Sequence, residues 1–269
     1  MSGWAGGSGI DLDTPNVARV YDYYLGGAHN FQVDRRFAEK AIAMFPATRE
    51  LARRNRAFLQ RAVRELAGLG CEQFLDLGSG IPTAGHVHEI ARRTAPRARV
   101  AYVDNEPVAV EHSRMLVGDV DGVVAVRADF TRPDEVLGHP EVRSVLDFDE
   151  PIAVLFCAAL HLVPDEDDPY GLVARYRDAT APGSYLAVSH GTLDNRPDIA
   201  ALVRHYARGV SNRFIVRDRA ECARFFAGYD LLDPGVVFTA QWRPDEDPSE
   251  NEDEEAERSG VYAGVGRKP

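Results

Sequence analysis

Apolar positions change their spacing along the chain. Before residue 70 they recur at helical intervals: Val17, Val20, Tyr21 and Tyr24 fall at i, i+3, i+4 and i+7, and Leu51, Phe58, Leu59, Ala62 and Leu66 form a second stripe. The first helix is expected to be capped by Thr14, with Pro15 at its first position and Gly26-Gly27 at its end. A second helix is predicted over 34–45, stopping at Pro46, and a third over 48–67. Asn55 falls on the third helix's apolar stripe and needs a partner if buried, from the protein or from a ligand.

From residue 72 the pattern becomes short apolar runs at 73–77, 99–103, 123–127, 151–156 and 184–189. Helical segments at 84–95, 106–117, 133–146 and 168–180 separate most of them. Strands alternating with helices imply a parallel sheet covered on both faces, with right-handed crossovers. Helices at 197–208 and 218–227 follow, then strands at 231–241 and 261–266 joined by a loop, which predicts an antiparallel hairpin at the sheet edge. The expected fold class is α/β: a doubly wound, seven-stranded, mostly parallel sheet behind three helices. Residues 1–13 are expected to be a flexible terminus, 14–70 a helical segment and 71–269 the sheet domain.

The chain has 269 residues, 45% of them hydrophobic, which excludes disorder as a whole. No apolar run approaches the roughly 18 residues of a membrane span, and the first ten residues lack the n- and h-regions of a signal peptide, so a cytoplasmic protein is expected. Cys71, Cys157 and Cys222 form no CxxC pair, which fits a reducing compartment and excludes a disulfide scaffold or zinc knuckle. The net charge of −11 is concentrated: residues 245–257 hold nine acidic residues, and Asp165–Asp168 four more. Without these runs the chain carries 29 acidic against 31 basic residues, close to neutral. The first run reads as a solvated acidic loop and lacks the DxDxDG spacing of a calcium site. The second is a loop before helix 168–180, with Asp167 or Asp168 near that helix's start. Binding to nucleic acid or to an anionic membrane gains no support.

Candidate chemistry gathers where ligands bind such sheets, at the carboxyl ends of the strands. The first strand runs into Asp76-Leu77-Gly78-Ser79-Gly80, whose glycines let backbone approach a ligand. A dinucleotide fingerprint wants Gly or Ala where Thr83 stands. Asp104, ending the second strand beside Asn105, can accept from both ribose hydroxyls or cap the following helix. After the third strand Asp129 can take an adenine amino group while Phe130 packs on the ring, or Asp129 can simply close a turn. His86 and His88, two apart on a predicted helix, fall on different faces, which argues against a metal pair.

Asp76-x-Gly78-x-Gly80, Asp104 and Asp129 resemble the successive cofactor motifs of class I S-adenosylmethionine-dependent methyltransferases. Leu160–Asp165 resembles the L-H-x-x-P-D stretch after strand four in many small-molecule methyltransferases, and Ala181–Leu186 their x-P-G-G-x-L run into strand five, with Ser184 in place of the second Gly. Residues 20–31 (VYDYYLGGAHNF), 55–63 (NRAFLQRAV), 74–89 (FLDLGSGIPTAGHVHE), 103–108 (VDNEPV) and 262–269 (YAGVGRKP) are similar to a mainly actinobacterial methyltransferase-like family, long catalogued as a domain of unknown function, from Pro15 to Pro269. Pro82, where a third Gly often stands, and the N-terminal helices depart from the general methyltransferase pattern.

The resemblance implies a Rossmann-like methyltransferase with S-adenosylmethionine as cofactor, bound by Asp76, Gly78, Ser79, Gly80, Asp104, Asn105, Asp129 and Phe130, with Cys157 and Ala158 after strand four. It also implies that the helical segment is a lid over the cofactor, with Tyr21 toward the sulfonium and Arg19 on a carboxylate of cofactor or substrate. Tyr24, His29, Asn30 and His161 are then candidates for holding a small-molecule acceptor; plain core packing is the alternative for the tyrosines. Methyl transfer demands alignment, exclusion of water and a base only where the acceptor loses a proton. His161 and His190 are the candidate bases, with Asp165 behind them; His161 packing on the cofactor or capping a turn is the alternative. Two other functions compete: a non-catalytic S-adenosylmethionine sensor or partner subunit, and a nicotinamide oxidoreductase, which the broken fingerprint disfavours.

Overall fold

The structure is a computed structural model describing residues 10–82, 85–118, 120–194, 196–210, 214–245 and 259–269. Three helices come first: α1 (Val17–Tyr24), α2 (Gln32–Met44) and α3 (Thr48–Gly68). The α1 cap is Asn16 rather than Thr14: its side chain accepts from the Ala18 and Arg19 N–H groups, so Pro15 stands outside the helix. Strands β1 (Gln73–Leu77), β2 (Arg99–Asp104), β3 (Val123–Arg127), β4 (Ala153–Cys157) and β5 (Tyr185–Gly191) follow close to the expected boundaries. Between them lie α4 (Val87–Arg92), α5 (Pro107–Val117), α6 (Pro133–Leu137), α7 (Pro140–Val145) and α8 (Pro169–Asp178). The single helix expected over 133–146 is broken at Gly138-His139-Pro140, where Pro140 opens a new helix capped by His139. Asp168 caps α8, accepting from the Gly171 N–H.

Among the described residues the sheet has eight strands rather than seven. After α9 (Ala200–Gly209) and α10 (Arg219–Arg224), the strand expected over 231–241 is two short pieces, β6 (Asp230–Leu231) and β7 (Val237–Phe238), both antiparallel to β8 (Val261–Arg267). Pro234 and Gly235 interrupt it, because proline has no N–H for the ladder. The strand order is β3-β2-β1-β4-β5-β8-β6, with β7 also on β8; β1 to β5 are parallel and β8 runs antiparallel to β5. Every residue of β1 and β5 is buried, as a sheet covered on both faces requires. The chain leaves β1 toward β3 and returns to β4 on the other side of β1. That switch point opens a crevice at the carboxyl ends of β1 and β4. No helix among the described residues is long and apolar enough to cross a membrane. The acidic stretch beyond Asp245 lies outside the described residues; Asp245 itself pairs with Arg64 of α3.

Candidate functional site

A cavity opens at this crevice, under α1, with about 1660 Å³ of empty space including the solvent at its mouth. The β1 turn forms its floor. Gly78 and Gly80 hold left-handed backbone (φ +69° and +64°), and a side chain on Gly78 would come within 2.9 Å of Ala159 Cβ. The turn is tied to β2: the Gly78 and Ser79 N–H groups donate to Val103 O, and Gly80 N–H donates to Asp104 Oδ2 at 2.8 Å. Asp104 Oδ1 accepts from Glu106 N–H at 2.8 Å. Both carboxylate oxygens are thus held by backbone donors, and Asp104 lines the cavity. Burial raises the Asp104 carboxyl above its ordinary range, and the backbone donors oppose the rise.

Asn105 lines the same wall, and so does Phe130, whose ring meets Phe156 edge-on at 5.8 Å. Asp76 is buried and its pKa is pushed up to about 7 by desolvation, against the attraction of Arg56 and with the repulsion of Asp104. Cys157, which ends β4, and Ala158 after it complete the floor. Burial pushes the Cys157 thiol up and so disfavours the thiolate. Ala158 sits at φ +56°, a strained conformation for a non-glycine residue, fixed by its N–H donating to Ser189 Oγ.

From α1 come Tyr21 and Tyr24. Tyr21 donates to Ala52 O and accepts from Asn55 Nδ2, both at 2.9 Å. Asn55 Oδ1 is buried with no hydrogen-bond partner, so the polar residue on the α3 stripe serves a protein partner and keeps an acceptor unused. Arg56, next along α3, lines the cavity and donates to Gly85 O; sequence reasoning passed over it because an Arg beside an apolar stripe reads as solvent-facing. His161 also lines the cavity, its ring 4.2 Å from that of Phe214. Burial, with His190 and Arg217 nearby, drops its pKa well below the usual histidine value, so the ring is neutral.

Five expected site residues fall elsewhere. Arg19, 1% exposed, is committed to the fold: Nε lies 2.9 Å from Asp34, Nη1 3.1 Å from Glu106, and Nη2 donates to Thr14 O. It is not available to a ligand carboxylate. Asn30 closes the Gly26-Gly27 turn, donating to Asp22 and to Gly27 O, while the His29 ring packs tilted against that of His112 of α5, with ring centres 3.5 Å apart. Asp129 Oδ1 accepts from the N–H and hydroxyl of Thr131, closing a turn rather than facing the cavity. His190 is wholly buried: Nδ1 donates to Gly191 O, and Nε2 accepts from Arg217 Nη1 at 2.8 Å. Both nitrogens are engaged in the core, which excludes it as a base. Asp165 pairs with Arg217. His86 and His88 have rings stacked at 5.6 Å rather than on different faces, because His86 is an extended cap outside α4 and the helical turn per residue does not apply.

Burial lowers the His190 pKa to about 4, with Arg217 adding repulsion and the Gly191 carbonyl opposing it. An unfolded histidine titrates near 6.5, so between these values the unfolded chain binds the extra proton. Stability is therefore full above pH 6.5 and falls toward pH 4, by on the order of 3 kcal/mol from this group. Urea unfolding across that range should show a steeper loss in the wild type than in His190→Gln; equal slopes would refute the assignment.

The comparisons agree with this geometry. A family model described as S-adenosyl methyltransferase matches residues 5–269. A crystal structure of a Thermobifida fusca YX protein, provisionally labelled a methyltransferase, is 39% identical, covers 97% of both chains and superposes with a TM-score of 0.91. A DUF574 family protein from Streptomyces avermitilis MA-4680 is 37% identical, over 97% of this chain and 100% of that one, also with a TM-score of 0.91. Human N-acetylserotonin methyltransferase, solved with S-adenosylmethionine, is similar in fold alone: 15% identity over 95% of this chain and 63% of that one, TM-score 0.50. No curated protein matches the chain significantly in sequence. The chain belongs to the S-adenosyl methyltransferase family.

Proposed function

We propose that this S-adenosylmethionine-dependent methyltransferase acts on a small molecule, held in the cavity between the β1 turn and the helices α1, α3 and α9. The observation that carries the reading is that one cavity is lined both by the strand ends and by residues of those three helices. When bound, S-adenosylmethionine supplies a methyl group on a cationic sulfur, already activated toward a nucleophile.

The residues present fit that group. Asp104 keeps lone pairs for the ribose hydroxyls, and the Gly78 backbone, which has no space for a side chain, allows close approach. Phe130 packs beside the purine. Asp76, ionisable near neutrality, faces the cofactor's ammonium, and Arg56 takes its carboxylate in place of Arg19. The N-terminal segment, with Tyr21 and Tyr24, acts as the cover that excludes water. His161 receives a proton where the acceptor has one to lose.

Two measurements test this. Incubation with methyl-labelled cofactor and a bacterial extract should place label in the fraction below about 1 kDa; label confined to protein or RNA would refute a small acceptor. Arg56→Ala should weaken S-adenosylhomocysteine binding by about tenfold or more, the worth of one charge-assisted contact. Unchanged calorimetric affinity would return the carboxylate to another residue.

A further inference from the structure

The four charged residues lining the cavity among those described, Arg56, Asp76, Asp104 and Glu106, all stand at the strand ends or on α3 beside them. The rest of the lining includes Leu51, Leu202, Val203, Tyr206, Phe214 and Val216, none of them charged, with Phe214 beside Gly191 at the end of β5. Three rings follow one another along this wall: Tyr206 lies 5.3 Å from Phe214, and Phe214 lies 4.2 Å from His161. Tyr206 donates to the Tyr24 hydroxyl at 2.7 Å, which leaves Tyr24's own O–H as a donor on that wall. A charged acceptor placed here would lose its hydration and meet no counter-ion. A flat ring would instead stack on or meet edge-on the rings already there, which a saturated ring of the same size cannot do as well. At the near end of the row, His161 has a buried Nδ1 with no hydrogen-bond partner, whereas both nitrogens of His190 are taken.

We propose that the methyl acceptor is an uncharged aromatic compound bearing a hydroxyl, held against Tyr206 and Phe214 with its O–H toward His161. The inference rests on the cofactor reading above, which decides which part of the cavity is left for the acceptor. The acceptor's oxygen forms the new O–CH3 bond as the S–CH3 bond breaks and leaves its electron pair on sulfur. The hydroxyl proton passes to His161 and from there to solvent. His161 is suited to this because burial and its cationic neighbour keep it unprotonated beforehand.

The test uses the full chain, first titrated with S-adenosylhomocysteine and then, saturated with it, with 1-naphthol, 1-naphthoate and decahydro-1-naphthol in a calorimeter. 1-Naphthol is expected to bind at least about tenfold more tightly than either comparison compound. Phe214→Ala should weaken 1-naphthol by about fivefold or more, with Phe214→Leu between the two, while S-adenosylhomocysteine affinity stays within about twofold. If the thioether binds but the carboxylate or the saturated alcohol matches 1-naphthol, or Phe214→Ala has no effect, the acceptor class is wrong and the cofactor reading stands. Failure of S-adenosylhomocysteine to bind the wild type would overturn the cofactor reading and this inference with it.

Discussion

Asp104→Ala is expected to raise the dissociation constant for S-adenosylhomocysteine about a hundredfold, while the chain still folds. The carboxylate is placed to accept from two ribose hydroxyls, and hydrogen bonds to a charged group are worth about 1.5–3 kcal/mol each, so losing both costs about 3 kcal/mol or more. The same side chain holds the Gly80 and Glu106 N–H groups, so its removal also loosens the β1 turn. Asp104→Asn separates the two effects: the amide keeps one acceptor oxygen, and its affinity should fall between wild type and Ala. Isothermal titration gives the affinities, and a thermal melt shows whether the fold survives. An unchanged affinity in the Ala variant would refute the ribose assignment.

The second large effect is on stability. Arg19→Met should cost about 3–5 kcal/mol, the usual loss when one partner of a buried ion pair is removed and the other is left behind. Asp34, wholly buried, would retain the backbone donors of Asn16 and Phe31 but no cation, and Glu106 would lose the same guanidinium. For a chain of this size that loss lowers the melting temperature by about 10 °C. Adding Asp34→Asn should recover part of it, because the residual buried charge is the larger penalty. Were Arg19 instead a ligand for the cofactor's carboxylate, the variant would melt near the wild type and lose cofactor affinity. The two outcomes are opposite in both measurements.

The roles of Arg19 and Arg56 mark the limit of what the residue pattern carries. Arg19 stands immediately before a run similar to the family's and beside the aromatic cluster, which makes it the natural candidate for a carboxylate. Its actual partners, Asp34 and Glu106, are 15 and 87 residues away in the chain, and nothing local announces them. His190 has the position of a base for the same reason: it lies at the carboxyl end of β5, but the guanidinium that occupies its Nε2 comes from Arg217, ahead of α10. Asn55 is the contrary case, because a polar residue on an apolar stripe is a local anomaly, and it does line the cavity.

Local spacing therefore determined the strands β1 to β5, the helical character of the segments between them and the Gly-rich turn with Asp76 and Asp104, since each depends on short-range periodicity or on strand ends that the topology must bring together. The tertiary structure alone decided which ionisable groups are spent on the fold and which face the cavity. It also brought Tyr206, Phe214 and Val216, far from any motif, into the cavity wall. The physical reason is that a side chain's chemistry depends on its partners and its burial. In a parallel sheet with long crossovers, those are supplied by residues distant in sequence.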